Sequence, residues 1–151
     1  MPTHRPHPTP AELSILRVLW RRGKSTVREV QEDLNRDRPG DSPTGYTTVL
    51  KLMQIMTDKG LVRRDESQRT HVYEPAAGAG EEQTQRRLVK EMLDRVFNGS
   101  ARKLVLHALS AKKATPQEIA EIRSLLDSME QADSNSRRDP TPPAPKKGGR
   151  P

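Results

Sequence analysis

Residues 44–62 read TGYTTVLKLMQIMTDKGLV, and this stretch decides the fold. At 100° per residue its apolar side chains share one helical face: Val49, Leu52, Met53 and Met56. The opposite face carries Thr47, Lys51 and Gln54, although a face that only meets water usually carries glutamate and lysine. Gly60 can end the helix in the left-handed conformation. The stretch therefore predicts a helix over roughly 43–59 that packs through one face and presents the other to a ligand.

Two helices and a hairpin surround this segment in the sequence. Thr9 and Pro10 can begin the first helix, which ends at Gly23, and Ser25-Thr26 can begin the second, VREVQEDLNR. The predicted strands Leu61–Arg64 and Thr70–Glu74 follow, joined by the polar turn DESQ. Three helices and a hairpin in this order are typical of a winged helix-turn-helix, whose third helix enters the DNA major groove. Trp20, the only tryptophan, is predicted to pack between the first and third helices.

The exposed start of the third helix carries the predicted base contacts. Threonine can hydrogen-bond a base or touch a thymine methyl group, lysine can reach guanine, and glutamine can pair with adenine. The set assigned to base contact is Tyr46, Thr47, Thr48, Lys51 and Gln54. The competing interpretation is that Thr47 and Thr48 only cap the helix.

Basic residues at and near the hairpin are predicted to contact the DNA backbone. These residues are Lys24, Arg63, Arg64, Arg69 and His71. Charged residues on a two-stranded ribbon can also serve only to keep its edge soluble and unpaired.

The composition of the chain indicates how large its ordered core can be and where in the cell it is expected. Hydrophobic residues make up 31% of the 151 residues and aromatic ones 3%, so part of the chain must be tail or must share a core with a second copy. The formal net charge is +7, and more than half of that charge lies in residues 1–9 and 132–151. The proline-rich composition of both ends predicts disorder over 1–8 and 132–151. No secretion signal or membrane span is visible, which favours a cytoplasmic protein without membrane insertion.

A second unit is predicted after the link PAAGAG at 75–80, because small residues offer little surface for packing. The winged helix then covers 9–75 and a helical dimerisation domain covers 76–131. Three short apolar stripes make a poor core alone but can form half of a shared one. The predicted interface is Leu88, Met92, Leu93, Val96, Leu104, Val105, Ile119, Ile122, Leu126 and Met129. The alternative is that these helices pack back on the winged helix of the same chain.

Three segments together resemble the BlaI/MecI/CopY family of bacterial penicillinase repressors. They are WRRGKSTVREV from Trp20, YTTVLKLMQIMTDKGLV from Tyr46, and HVY from His71. The resemblance covers about residues 8–130 and implies a dimeric repressor that binds a palindromic operator, with bases contacted from Thr47, Thr48 and Lys51.

The resemblance also bears on how the protein leaves DNA. Some members of the family are released when a membrane-bound sensor protease leads to their cleavage at an asparagine-phenylalanine bond. Here His107-Ala108 stands in the matching segment. The copper-responsive members carry a cysteine motif, and this chain has no cysteine.

The residues do not favour an enzyme. The four histidines have no catalytic or metal-site spacing, so no metal, cofactor or catalytic residue is predicted. Two other functions stay open: a winged-helix adaptor that binds only proteins, and an architectural DNA-binding protein without operator specificity.

Overall fold

The computed structural model describes residues 7–138, which form a mainly helical protein with one β-hairpin. The predicted fold class is therefore confirmed. The chain divides into two compact units, 1–99 and 100–151. The predicted disorder of residues 1–6 and 139–151 lies outside the described residues.

The first unit has the element order of a winged helix, followed by one more helix. Its elements are α1 (Pro10–Arg22), α2 (Val27–Asp37), α3 (Tyr46–Lys59), β1 (Val62–Asp65), β2 (Val72–Pro75) and α4 (Glu81–Arg95). The two strands pair antiparallel, with Arg64 opposite Tyr73. The strands β1 and β2 begin one and two residues later than predicted. The start of β1 is later because Leu61 still belongs to the turn after α3 and donates its N–H to the Met56 carbonyl. The segment between α1 and α2 extends the hairpin, since Ser25 and Tyr73 exchange backbone hydrogen bonds of 3.0 and 2.8 Å.

Local capping explains where the first two helices begin. The Thr9 hydroxyl accepts from the backbone N–H of Glu12 at 3.2 Å, and the Glu12 carboxylate accepts from the Thr9 N–H at 3.0 Å. Thr26 and Glu29 repeat this capping box at the start of α2. Each box satisfies two N–H groups that would otherwise lack a partner. The predicted helix starts are confirmed.

The core of the first unit lies where α1, α2 and α3 meet the hairpin. Its fully buried members are Ile15, Leu16, Val18, Leu19, Val30, Val49, Met53, Met56, Leu61, Val62 and Tyr73. Three of the four residues on the predicted buried face of α3 are in this core, while Leu52 is half-buried. Helix α3 is therefore held to the body of the unit through that face.

The link PAAGAG is more closely packed than the sequence indicated. Ala79 is 3% exposed, and its carbonyl accepts a hydrogen bond of 2.9 Å from the Trp20 indole N–H. Trp20 is half-buried against the core, and its polar edge is directed to this link. The division into two compact units falls after Gly99, so the link and α4 both belong to the first unit. The hydrogen bond from Trp20 to Ala79 joins residues 59 positions apart in the chain, which composition alone does not reveal.

The second unit contains two helices among the described residues, α5 (Ala101–Ala111) and α6 (Pro116–Arg138). Ser100 caps α5, as predicted, by accepting from the Lys103 N–H at 3.2 Å. The prediction that the tail begins at 132 is wrong, because α6 continues through Arg138. Its last turns have no proline, and Arg137 pairs with Asp133 one turn earlier at 3.2 Å.

No helix in the described range is long and apolar enough to cross a membrane.

Candidate nucleic-acid interface

The outer face of α3 is exposed from Tyr46 to Gln54. All five residues assigned to base contact are exposed there: Tyr46, Thr47, Thr48, Lys51 and Gln54. The N-cap of α3 is Gly45, and no side chain caps this helix. Thr47 and Thr48 therefore do not have the capping role that was the competing interpretation, and both residues are exposed.

Two side-chain amides from α2 fix the chain as it enters α3. Asn35 accepts the Thr44 N–H at 2.8 Å through Oδ1 and donates to the Thr44 carbonyl at 3.2 Å through Nδ2. Gln31 Nε2 donates to the same carbonyl at 3.2 Å. These bonds satisfy backbone groups that precede the helix and set the position of its first turn.

An ion pair fixes the other end of α3. The Lys59 ammonium lies 2.6 Å from Oε1 and 3.1 Å from Oε2 of Glu12 in the first turn of α1. Glu12 is only 1% exposed, so the lysine compensates a buried carboxylate. With both ends fixed and one face in the core, the exposed face of α3 has a defined position.

Three of the five basic residues assigned to the DNA backbone are paired with carboxylates. Arg63 forms an ion pair and hydrogen bonds with Glu74, which raise the pKa of Arg63 and lower that of Glu74. Arg64 pairs with Glu66. Lys24 lies 3.8 Å from Glu74 and 3.9 Å from Asp65. The paired carboxylates cancel much of the positive charge at this end of the hairpin.

The other two, Arg69 and His71, form no ion pair within residues 7–138 and are exposed. They line a cleft together with Arg28 of α2 and Tyr46 of α3. The guanidinium carbon of Arg28 lies 5.7 Å from the centre of the Tyr46 ring, within the range of a cation–π interaction.

Arg28 is a candidate site residue that the sequence analysis missed. A partial signal was available, because Arg28 falls outside the buried face that Val27 and Val30 define and stands near the start of α2. Its position over Tyr46 depends on the packing of α2 against α3, which helical periodicity does not specify.

The helices after the hairpin leave their apolar stripes uncovered. No residue of α5 or α6 is buried, and in α4 only Thr84 is. Six members of the predicted interface are 41–70% exposed: Met92, Val96, Val105, Ile119, Leu126 and Met129. The other four are half-buried: Leu88, Leu93, Leu104 and Ile122. Exposed apolar stripes of this extent are typical of an interaction surface.

Comparisons with known proteins agree with this architecture. The family model of the penicillinase repressor matches residues 8–128, from before α1 into α6. A penicillinase repressor of Bacillus licheniformis is 25% identical over 122 residues, which cover 81% of this chain and 91% of that protein. The chain therefore belongs to the penicillinase repressor family, whose members are DNA-binding transcriptional repressors.

Proposed function

We propose that this protein is a sequence-specific repressor that binds a palindromic operator in double-stranded DNA as a homodimer and leaves it on an inducing signal. The observation that carries this proposal is the exposed row of polar side chains on α3. The row begins with two threonines that do not cap the helix, and the helix is held at both ends. Hydrogen-bonding side chains close to a rigid backbone are suited to contact base edges in the major groove.

The dimer is supported by the apolar stripes of α4, α5 and α6. A single described chain leaves these large side chains in water, which costs roughly 25 cal/mol for each Å² of apolar surface. Packing against the same stripes of a second copy removes that surface from water. A two-fold dimer presents two copies of α3, and these match the two halves of a palindrome.

Coupling of the two half-sites also provides a route to release. Binding at the second half-site is effectively intramolecular once the first is occupied, so the dimer binds far more tightly than one winged helix. Any signal that separates the dimerisation helices from the winged helix, or the two subunits from each other, lowers operator occupancy. Release by this route requires no change in the residues that contact bases.

The test is selection of bound duplexes from a randomised pool, followed by affinity measurements on the enriched sequence and on random DNA. We expect a palindromic consensus. Lys51→Ala and Thr47→Ala should each weaken binding to the enriched sequence by about 1–3 kcal/mol with little effect on random DNA.

Two outcomes separate the other functions. Equal losses on both duplexes, with no enriched sequence, would identify an architectural DNA-binding protein. Absence of binding to any duplex at low salt, where phosphate contacts are strongest, would identify a protein-binding adaptor. Gln131→Ala serves as the matched control, because Gln131 is exposed on α6 and outside the proposed DNA surface.

A further inference from the structure

A cleft beside the first turn of α3 combines basic side chains from two separate elements. Arg28 comes from α2, while Arg69 and His71 come from the segment before β2; Tyr46 and Thr70 also line the cleft. None of the described side chains that line this cleft is a carboxylate. The cleft therefore concentrates positive charge and hydroxyl groups, which is the chemistry that binds a phosphate oxyanion.

The contrast with the rest of the hairpin makes this cleft distinctive. Arg63, Arg64 and Lys24 are also basic residues, but each lies against a carboxylate: Arg63 against Glu74, Arg64 against Glu66, and Lys24 against Asp65 and Glu74. A DNA phosphate that approached Arg63 would compete with a carboxylate already in place. In the cleft, Arg28 and Arg69 have no such competitor within the described range.

The cleft lies where it could contact the backbone of a DNA strand that borders the major groove. Tyr46 and Leu50 line it from α3, and they lie next to the outer row that contains Thr47 and Lys51. When the outer row contacts base edges in the major groove, a DNA strand borders each side of the helix, and the Tyr46 and Leu50 edge is one of these sides.

Arg28 also lies over the Tyr46 ring, with its guanidinium carbon 5.7 Å from the ring centre. Against an aromatic face, a guanidinium group retains the N–H donors along its edge for an anion. The same contact restricts the Tyr46 ring, which stands at the first position of α3.

We propose that this cleft binds one phosphate of the DNA backbone, with Arg28 and Arg69 as its cationic contacts and with Arg28 also positioning Tyr46. The inference rests on the proposed operator binding and extends it to a residue outside the recognition helix and the hairpin.

The experiment measures the affinity of the full chain for the enriched duplex and for random DNA over a range of salt concentrations. A lost phosphate contact lowers the magnitude of the slope of log K against log salt by about 0.9. We expect this reduction for Arg28→Ala and for Arg69→Ala on both duplexes. Arg63→Ala is the matched control, and its slope should change by less than half as much, because Glu74 already neutralises Arg63.

A second readout separates positioning of Tyr46 from charge alone. Arg28→Ala should also lower the ratio of specific to random affinity, as Tyr46→Ala should, whereas Arg69→Ala should leave that ratio unchanged. Arg28→Lys should restore the slope, because it keeps the positive charge. It should restore selectivity only in part, because it lacks the planar guanidinium group.

Three results would overturn the proposal: an unchanged slope for Arg28→Ala, equal slope losses for Arg28→Ala and Arg63→Ala, or unchanged selectivity for Arg28→Ala. Measurements on Lys51→Ala distinguish a failure of the phosphate-cleft proposal from a failure of the operator-recognition proposal. If Lys51→Ala loses selectivity while Arg28→Ala keeps its slope, only the phosphate cleft is wrong. If no sequence is enriched and Lys51→Ala behaves like wild type, operator recognition is wrong, and the slope of Arg28→Ala still tests the phosphate contact.

Discussion

The ammonium group of Lys59 lies within 2.6 Å of Glu12, and the same carboxylate caps the first turn of α1. One buried side chain thus joins the end of α3 to the start of α1. Glu12 also accepts the N–H of Thr9, so its charge has two partners. The positions of α1 and α3 are coupled through this carboxylate.

Removal of one partner of this pair should destabilise the first unit. Lys59→Met leaves the Glu12 carboxylate buried without its ammonium partner, which we expect to lower the free energy of unfolding by about 3 kcal/mol. Chemical denaturation measures this change. The double variant Glu12→Gln with Lys59→Met should be more stable than Lys59→Met alone, because no buried charge then lacks a partner. Additive effects of the two substitutions would show that the residues do not interact.

The same pair predicts that stability falls in acid. Burial raises the pKa of the Glu12 carboxyl, but its bonds with Lys59 and Thr9 outweigh burial, so that the pKa lies below its ordinary value of about 4.3. A lowered pKa contributes stability that is present above the ordinary value and is lost as the pH falls through the folded-state value. Unfolding measured between about pH 6 and pH 3 should therefore show a smaller loss for Glu12→Gln than for wild type.

Glu29 limits how much of the acid sensitivity that substitution removes. Hydrogen bonds from Thr26 and Arg22 also hold the pKa of Glu29 below its ordinary value. Glu12→Gln should therefore remove part of the pH dependence and leave the remainder. Identical pH profiles for Glu12→Gln and wild type would contradict the assignment to Glu12.

Asn35 should affect DNA binding although it lies in α2 and outside the outer face of α3. Asn35→Ala removes both hydrogen bonds to Thr44 and leaves the Thr44 N–H without the Asn35 side chain as its acceptor. This loss should cost about 1–2 kcal/mol of stability. The loosened first turn of α3 should also weaken operator binding at temperatures where the protein is fully folded. Isothermal binding measurements, with a circular dichroism melt of the same sample, check both effects.

Asn35→Asp is the matched variant, since it keeps an acceptor for the Thr44 N–H but replaces the donor to the carbonyl with a negatively charged oxygen. Its affinity should lie between those of Asn35→Ala and wild type. If Asn35→Ala melts at a lower temperature but binds the operator as wild type does, these bonds only stabilise the fold.

Sequence patterns predicted the helices because each one carries its own signals. The box of Thr9 with Glu12, the glycine after Lys59 and the apolar face of α3 are all local, and each specifies an element without knowledge of the rest. The exposed row of α3 followed from the same periodicity. The sequence did not predict partners distant in the chain, such as Glu12 for Lys59, Ala79 for Trp20 and Tyr46 for Arg28. These contacts depend on how the elements pack, and they determine which cations remain unpaired.

The proposed interface predicts that a charge on α6 separates the subunits. Leu126 is 54% exposed in the single chain, so Leu126→Lys should not disturb the folding of the chain itself. In a dimer the same ammonium group would be buried, at a cost of several kcal/mol without a partner. Sedimentation equilibrium should show a monomer with weakened operator binding, while Gln131→Lys, on the exposed polar part of the same helix, remains dimeric. A dimer of unchanged affinity in Leu126→Lys would exclude this stripe from the interface.

The last prediction concerns the bond between His107 and Ala108, which stands where the family resemblance places a cleaved asparagine-phenylalanine bond. Both residues are exposed, but they lie inside α5, so a protease would have to unwind that helix before the backbone could enter its active site. Alanine in place of phenylalanine also removes most of the apolar surface that a binding pocket could hold. We expect that release occurs without a cut at this bond. Mass spectrometry of the protein from host cells treated with a β-lactam should find no fragment ending at His107, even when DNA occupancy falls. Ala108→Phe is the informative variant, because a gain of cleavage in it would show that the alanine side chain of the wild type prevents cleavage of this bond. Fragments ending at His107 in the wild type would contradict the prediction.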